Sequence, residues 1–496
     1  MTEQPIRSPT GVPGLDDVLH GGLLAGRLYL IDGNPGAGKT TLAIQFLLEG
    51  LAAGERCLYV TLSESALELA AGAGSHGWSM DGIEVVEIIA DDRQLAAVEQ
   101  LTMYHPAEVE LSETTRQLLD AVERYRPQRM VLDSLSELRL LAQSSLRYRR
   151  QILALKQFLA GRNCTTLFLD DRTSEPSDLQ LQSIAHGVIS LDSRTPSYGR
   201  ALRQLQILKF RGSNFISGYH DFRILAGGLE VFPRLTASEH HTSFVRETLG
   251  SGVPELDALL GGGIDRGTST LMMGPPGTGK STVALQFAAA AAARGDHSAV
   301  FAFEESKSVL MGRAAELGIQ LEEGVGPGEV LVRQIDPTEV TPGEFACMVR
   351  YEVEHHHARV VVIDSLNGYL HAMPEDRILS AQLHELLSYL NNRGVATFLV
   401  SAQRGTLGNE LASQVEASYL ADAIVMFRLF EYGGELKKAI SIVKKRSGPH
   451  EESIRQLWVD STGVHVGEPL LRLRGVLTGV PTDIRGDDGN ESSFAP

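Results

Sequence analysis

Short runs of continuous apolar residues punctuate this 496-residue chain, and the segments between them carry apolar positions at helical spacing. LYLID from Leu28 to Asp32, CLYVTL from Cys57 to Leu62 and TTLFLD from Thr165 to Asp170 read as strands that lack the polar alternation of a half-exposed sheet. A strand that is apolar on both faces must be covered on both. QILALKQFLAGRN from Gln151 is one of the helical patterns available to cover it, with a glycine near its end. Such strands alternating with helices predict a mostly parallel sheet with helices on both faces, the doubly wound α/β class.

The pattern is written twice. Gly11-Val12-Pro13 with Leu15-Asp16 returns 241 positions later as Gly252-Val253-Pro254 with Leu256-Asp257, and GNPGAGKTT from Gly33 returns at the same spacing as GPPGTGKST from Gly274. Asp133 in MVLDSL and Asp364 in VVIDSL are 231 apart, and Lys209 in LKFRG and Lys444 in VKKRS are 235 apart. Loop lengths therefore differ while the order of elements does not. A repeat this long means tandem domains rather than a solenoid. The join is expected in the polar stretch from Thr236 to Thr242, giving domains at 1–238 and 239–475. The polar, acidic stretch 476–496 has no periodicity and reads as a disordered tail.

Each copy opens with a phosphate-binding loop in the right context, a strand before and a helix after. In the first, Gly33, Asn34, Gly36, Ala37 and Gly38 precede Lys39, Thr40 and Thr41; in the second, Gly274, Gly277, Thr278 and Gly279 precede Lys280, Ser281 and Thr282. The glycines let backbone N–H groups curl around phosphates at a helix N-terminus, and the lysines neutralise the β- and γ-phosphates of ATP. Thr40 and Ser281 are placed to ligate Mg²⁺ through their hydroxyls, with the strand-end acids Asp133 and Asp364 as the second half of each metal site. The fold class is thus two tandem RecA-like P-loop NTPase domains.

A base is also needed near the γ-phosphate. The strand after the second loop's helix runs into Phe303-Glu304-Glu305, whereas the first copy has Leu62-Ser63-Glu64. Because side chains alternate faces along a strand, Glu304 and Glu305 are expected to do different jobs. One orients the nucleophile and its neighbour supports the site. With Ser63 in place of the first carboxylate and Glu64 alone, the two sites are expected to be chemically unequal.

Composition narrows the function. A formal charge of −17 repels polyanions, and the densest basic run is Lys444-Lys445-Arg446, so nucleic acid and anionic membrane are poor partners. Cys57, Cys164 and Cys347 lie far apart in apolar surroundings and read as buried free thiols. No apolar run approaches the ~18 residues of a membrane span, and no signal-peptide core is visible at the start. A cytoplasmic protein is expected. His355-His356-His357 read as a solvated helix terminus, with a metal site as the alternative.

Taken together the residues resemble the KaiC circadian-clock ATPase family over about residues 8–470. The likeness rests on the paired P-loops, the GVP openings, the Ser-Glu-Ser and Glu-Glu-Ser segments, the Asp-Ser-Leu strand ends, GLEVFPR from Gly228 to Arg234, and the basic pairs Lys209/Arg211 and Lys444/Arg446. The resemblance implies a homohexamer with ATP between subunits, a second domain that is a serine/threonine autokinase and autophosphatase, and a KaiB-like protein or a signalling kinase as partner. It implies Glu304 as the kinase's general base with Glu305 beside it, and the two basic pairs as contacts to a neighbour's nucleotide. Aligned through ADAIVMF at Ala421–Phe427, the acceptor segment places Ser418 and Tyr419 where the family carries adjacent Ser/Thr acceptors. Ser418 is the expected acceptor, with Ser413 a further candidate; Tyr419 departs from the pattern. Two rival functions share the fold: a RecA- or DnaB-like DNA motor, against which the charge argues, and an ATP-gated assembly scaffold with little catalysis.

Overall fold

The apolar runs become the parallel core of two sheets. In the first half the strands of the large sheet are β1 (Leu28–Gly33), β2 (Cys57–Thr61), β3 (Ile83–Glu87), β4 (Arg129–Asp133), β5 (Thr165–Asp171), β6 (Gly187–Arg194), β7 (Leu202–Phe210), β8 (Tyr219–Leu225) and β9 (Gly228–Phe232). In the second they are β10 (Ser269–Gly274), β11 (His297–Ala302), β12 (Val330–Gln334), β13 (Ala358–Asp364), β14 (Ala396–Ala402), β15 (Ala423–Tyr432), β16 (Glu435–Lys445), β17 (Arg455–Asp460) and β18 (Gly463–Pro469). The first sheet runs β3-β2-β4-β5-β1-β6-β7-β8-β9 and the second β12-β11-β13-β14-β10-β15-β16-β17-β18. The two orders are the same, strand for strand. Six strands in each are parallel, and the last three extend the sheet as an antiparallel meander.

This computed structural model describes residues 6–88, 106–172, 179–195, 199–371, 376–403, 419–478 and 481–483. Two compact units divide at Arg234/Leu235. Each sheet carries two separate buried clusters, as a sheet covered on both faces must. In the second unit the helix Lys280–Ala293 is largely alanine and lies close on the sheet, where Phe287 stacks on Phe398 of β14 at 4.7 Å between ring centroids. Burying such a phenyl ring contributes about 1.5–3 kcal/mol.

Three boundaries carry information. The helix expected from Gln151 is Ser145–Ala160, because the Ser144 hydroxyl accepts from Arg147 N–H at 3.3 Å and caps an earlier start. The polar stretch after Thr236 is laid along the helix Asp376–Asn392: Ala237 N–H donates to the Glu385 carboxylate at 3.1 Å and its carbonyl accepts from Asn392 at 3.0 Å. Beyond residue 475, Val476 is buried with Phe430 and Ala439, and Leu473–Arg474 pair with Thr482–Asp483; residues 484–496 lie outside the described residues. No helix among the described residues is long and apolar enough to cross a membrane.

Candidate functional site

Both phosphate loops leave the C-terminal ends of the central strands β1 and β10, where ligands of open parallel sheets bind. Gly38 and Gly279 cap the following helices at φ 106° and 98°, a left-handed conformation that a Cβ would strain. Ala37 and Thr278 are fully buried, and the Thr278 hydroxyl donates to Pro275 O at 2.9 Å, so their side chains brace the loop. The exposed parts of the two loops are Asn34–Gly36 and Pro276–Gly277. Lys39 Nζ donates to Gly33 O (2.9 Å) and Asn34 O (3.1 Å), and Lys280 Nζ to Pro275 O (2.7 Å).

The first helical turn meets the strand-end acids in both halves. Thr40 Oγ1 donates to Asp133 Oδ2 at 3.1 Å, and the Ser281 hydroxyl bonds Asp364. Burial raises the carboxyl pKa of Asp133 and of Asp364, against the lowering effect of those hydroxyls. A hydroxyl oxygen beside a desolvated carboxylate is a hard-oxygen donor set that fits Mg²⁺. Asp133 also accepts from the Tyr59 hydroxyl at 2.6 Å; the matching position in the second half is Val300.

The acidic pair behaves as two different groups, for a reason other than strand alternation. β11 ends at Ala302, so Glu304 and Glu305 lie in the turn before the helix Lys307–Glu316. Glu304 is exposed and accepts from the Ser365 hydroxyl, itself fixed by Gly368 N–H at 3.1 Å. Glu305 is held bidentately by Arg313 at 2.6 and 3.2 Å, and Arg313 also donates to Thr282 Oγ1 at 3.3 Å. The corresponding first-half residues are Ser63, Glu64 and Gly72. Glu64 has its pKa raised by burial and by the Asp133 charge.

The lysines differ as well. Burial pushes Lys280 down to about 8, with Asp364 and Glu304 opposing the shift. Lys39 pairs with Asp171 of β5 at 2.7 Å. Asp171 lies opposite Gly33 as Ala402 lies opposite Gly274, so the second loop has an alanine where the first has a counterion. Asp171, Tyr59 and Arg313 escaped the sequence reading. The glutamates at 304 and 305 offered the one available signal for Arg313, a basic residue on the helix that follows them.

The basic pairs sit at the other end of the sheet. Lys209 is paired with Val188, which is level with Leu30, three residues before Gly33 and so ~10 Å short of it at ~3.3 Å per residue. Its Nζ turns further away, onto Ser183 O (3.1 Å) and Ala185 O (2.7 Å), and Arg211 reaches Ser183 O at 3.4 Å. Lys444, level with Leu271, donates to Ala421 O at 2.7 Å, and Arg446 reaches Asp422 and Tyr419 O, each at 3.4 Å. Neither pair is near its own domain's phosphate loop. Tyr419 is exposed, while Ser413 and Ser418 lie outside the described residues.

A family model described as an ATPase, KaiC, matches residues 8–236 and again 249–470. The circadian clock protein KaiC3 of Synechocystis sp. is 27% identical over 486 residues, covering 95% of this chain and 94% of its own. The circadian clock oscillator protein KaiC of Parathermosynechococcus lividus is 25% identical over 496 residues (98% and 90%), and that of Prochlorococcus marinus 26% over 498 residues (98% and 97%).

Proposed function

Because the chain belongs to the KaiC family of ATPases, we propose that it is an ATP-assembled homohexamer that hydrolyses ATP slowly and carries serine autokinase and autophosphatase activity in its second domain. The observation that carries this reading is the pairing at Glu304 and Glu305. One carboxylate is clamped by Arg313, and the other stands exposed beside Lys280 and Asp364, where it accepts from the Ser365 hydroxyl.

In this reading the loop N–H groups and Lys280 hold the triphosphate, and Ser281 and Asp364 would hold a Mg²⁺ whose charge would offset that of the phosphates. The acceptor hydroxyl, of Ser418 or Ser413, gives its proton to Glu304 as its oxygen bonds the γ-phosphorus. The bond from that phosphorus to the ADP oxygen breaks, and ADP leaves. Transfer depends on in-line positioning, so the Tyr419 phenol, carried several ångströms further out, stays unmodified. Lys444 and Arg446, and Lys209 and Arg211 in the first domain, act on the nucleotide of an adjacent subunit, since they lie away from their own.

The first domain favours a second role. With an intact phosphate loop and Ser63 in place of a carboxylate, it retains ATP as an assembly ligand more than it turns it over. The names of its relatives place them in circadian timing; a timing or stress-signalling role with a KaiB-like protein or a kinase as partner follows for this chain. Mass spectrometry after incubation with Mg·ATP tests the kinase: phosphate is expected on Ser418 or Ser413. ATP hydrolysis with neither residue labelled would leave an ATPase without an autokinase.

A further inference from the structure

Away from both phosphate sites, His297, Glu352 and His356 bring three ligand atoms within 4.8 Å of one another. The run His355–His357 divides: His355 stacks on Tyr351 at the surface, whereas His356 turns inward, one helical turn after Glu352. β11 completes the cluster, because His297 is in register with Ala358, two residues after His356.

We propose that His297 Nε2, the Glu352 carboxylate and His356 Nδ1 hold one divalent transition-metal ion, zinc being the ion their chemistry fits. His297 is 2% exposed and Glu352 4%. His297 Nδ1 lies 3.0 Å from Glu329 O. A carbonyl can only accept, so Nδ1 carries the proton and Nε2 of the neutral ring presents a lone pair. That lone pair faces Glu352 Oε2 at 3.5 Å, and Nε2 is buried without a hydrogen-bond partner. Two lone pairs confronted in a dry interior repel unless a cation lies between them.

A proton on His297 would serve two groups. The third, His356 Nδ1, is 2.7 Å from the same carboxylate oxygen, and an ion joins all three. Tetrahedral ligands at ~2.0–2.1 Å from zinc stand ~3.3 Å apart, so the 3.5 Å contact already fits. The 2.7 Å contact opens by a small shift of His356, the partly exposed residue that caps the helix. The Glu329 carbonyl is the outer-shell acceptor that orients a ligating imidazole. Two imidazoles and one carboxylate disfavour Mg²⁺ and Ca²⁺, and the exposed side at His356 leaves a fourth position to water. The ion would tie the start of β11 to the helix that precedes β13. The first domain has Arg56, Ala121 and Tyr125 at these places, so the site belongs to the second domain alone.

The test is Zn²⁺ binding to the metal-stripped, nucleotide-free full chain, by competition with a chromogenic chelator. One tight equivalent is expected, with an intense visible spectrum when Co²⁺ replaces it. Glu352→Gln and His297→Gln should weaken that equivalent by more than the ~10- to 100-fold typical of outer-shell changes. His356→Asn alters a partly exposed helix end and keeps the fold, so it decides the matter if the buried variants do not fold. Parent protein that binds no Zn²⁺ tightly, or His356→Asn that binds like the parent, overturns the site and leaves a protonated His297 paired with Glu352.

Discussion

The two phosphate loops share their backbone and differ in the side chains that surround it. Both leave the same strand of the same nine-strand order, both cap the helix with a left-handed glycine, and both set a hydroxyl against a strand-end aspartate. Yet the first surrounds its lysine and aspartate with the counter-groups Asp171 and Tyr59, while the second puts Ala402 and Val300 there, has Glu304 in place of Ser63, and adds Arg313, which clamps Glu305 where the first half has Gly72 and Glu64. Duplication kept the cradle and changed the chemistry. In the proposed reading the first site, with Ser63 in place of a carboxylate, holds its nucleotide and the second acts on it.

The most direct way to break this contrast is Glu304→Gln. The amide keeps the shape and cannot take a proton, so phosphoryl transfer should fall by about 10²- to 10⁴-fold while nucleotide binding persists. Labelling with γ-³²P-ATP at the parent rate would show that Glu304 is not the base. Arg313→Gln should follow, costing about 10- to 100-fold in transfer by freeing Glu305 from its clamp; unchanged turnover would make that clamp a surface ion pair.

Protonation sharpens the contrast further. Lys280 titrates near 8 in the free site, and the triphosphate needs its ammonium form. Below that pH the cation is present; above it ATP binding must take up a proton, so affinity for the second site should fall about tenfold per pH unit. Binding of a fluorescent ATP analogue to Lys39→Ala at pH 7 and 9 checks this, and equal affinities would contradict it. The smallest effect is expected from Asp171→Ala. Removing a partly exposed partner worth ~0.5–1 kcal/mol should tighten first-domain ATP binding about two- to fivefold, measured in a Lys280→Ala background. Weaker binding would mean that Asp171 positions Lys39 rather than competing for it.

The residues legible in sequence were those whose partners come at fixed spacing or at a strand end. Lys39, Lys280, Asp133 and Asp364 belong to patterns that permit one placement. Asp171 is 132 positions from Lys39, and its bond exists because β5 and β1 pair in a register that puts it opposite Gly33. His297 and Glu352 meet for the same reason, through the alignment of β11 with β13. Register between distant strands is not written in any local pattern. The difference between Glu304 and Glu305 was legible in outcome, while its cause, a turn beginning after Ala302, was not.

The distance between each basic pair and its own phosphate loop has a genetic consequence. If Lys444 and Arg446 serve another copy's nucleotide, the unit of inheritance and the unit of catalysis do not coincide. A Lys280→Ala chain and a Lys444→Ala chain, each silent alone, should recover transfer when mixed, because some interfaces then join two sound halves. The same sharing makes either lesion partly dominant over wild type, since one altered chain in a ring spoils a site that its neighbour began.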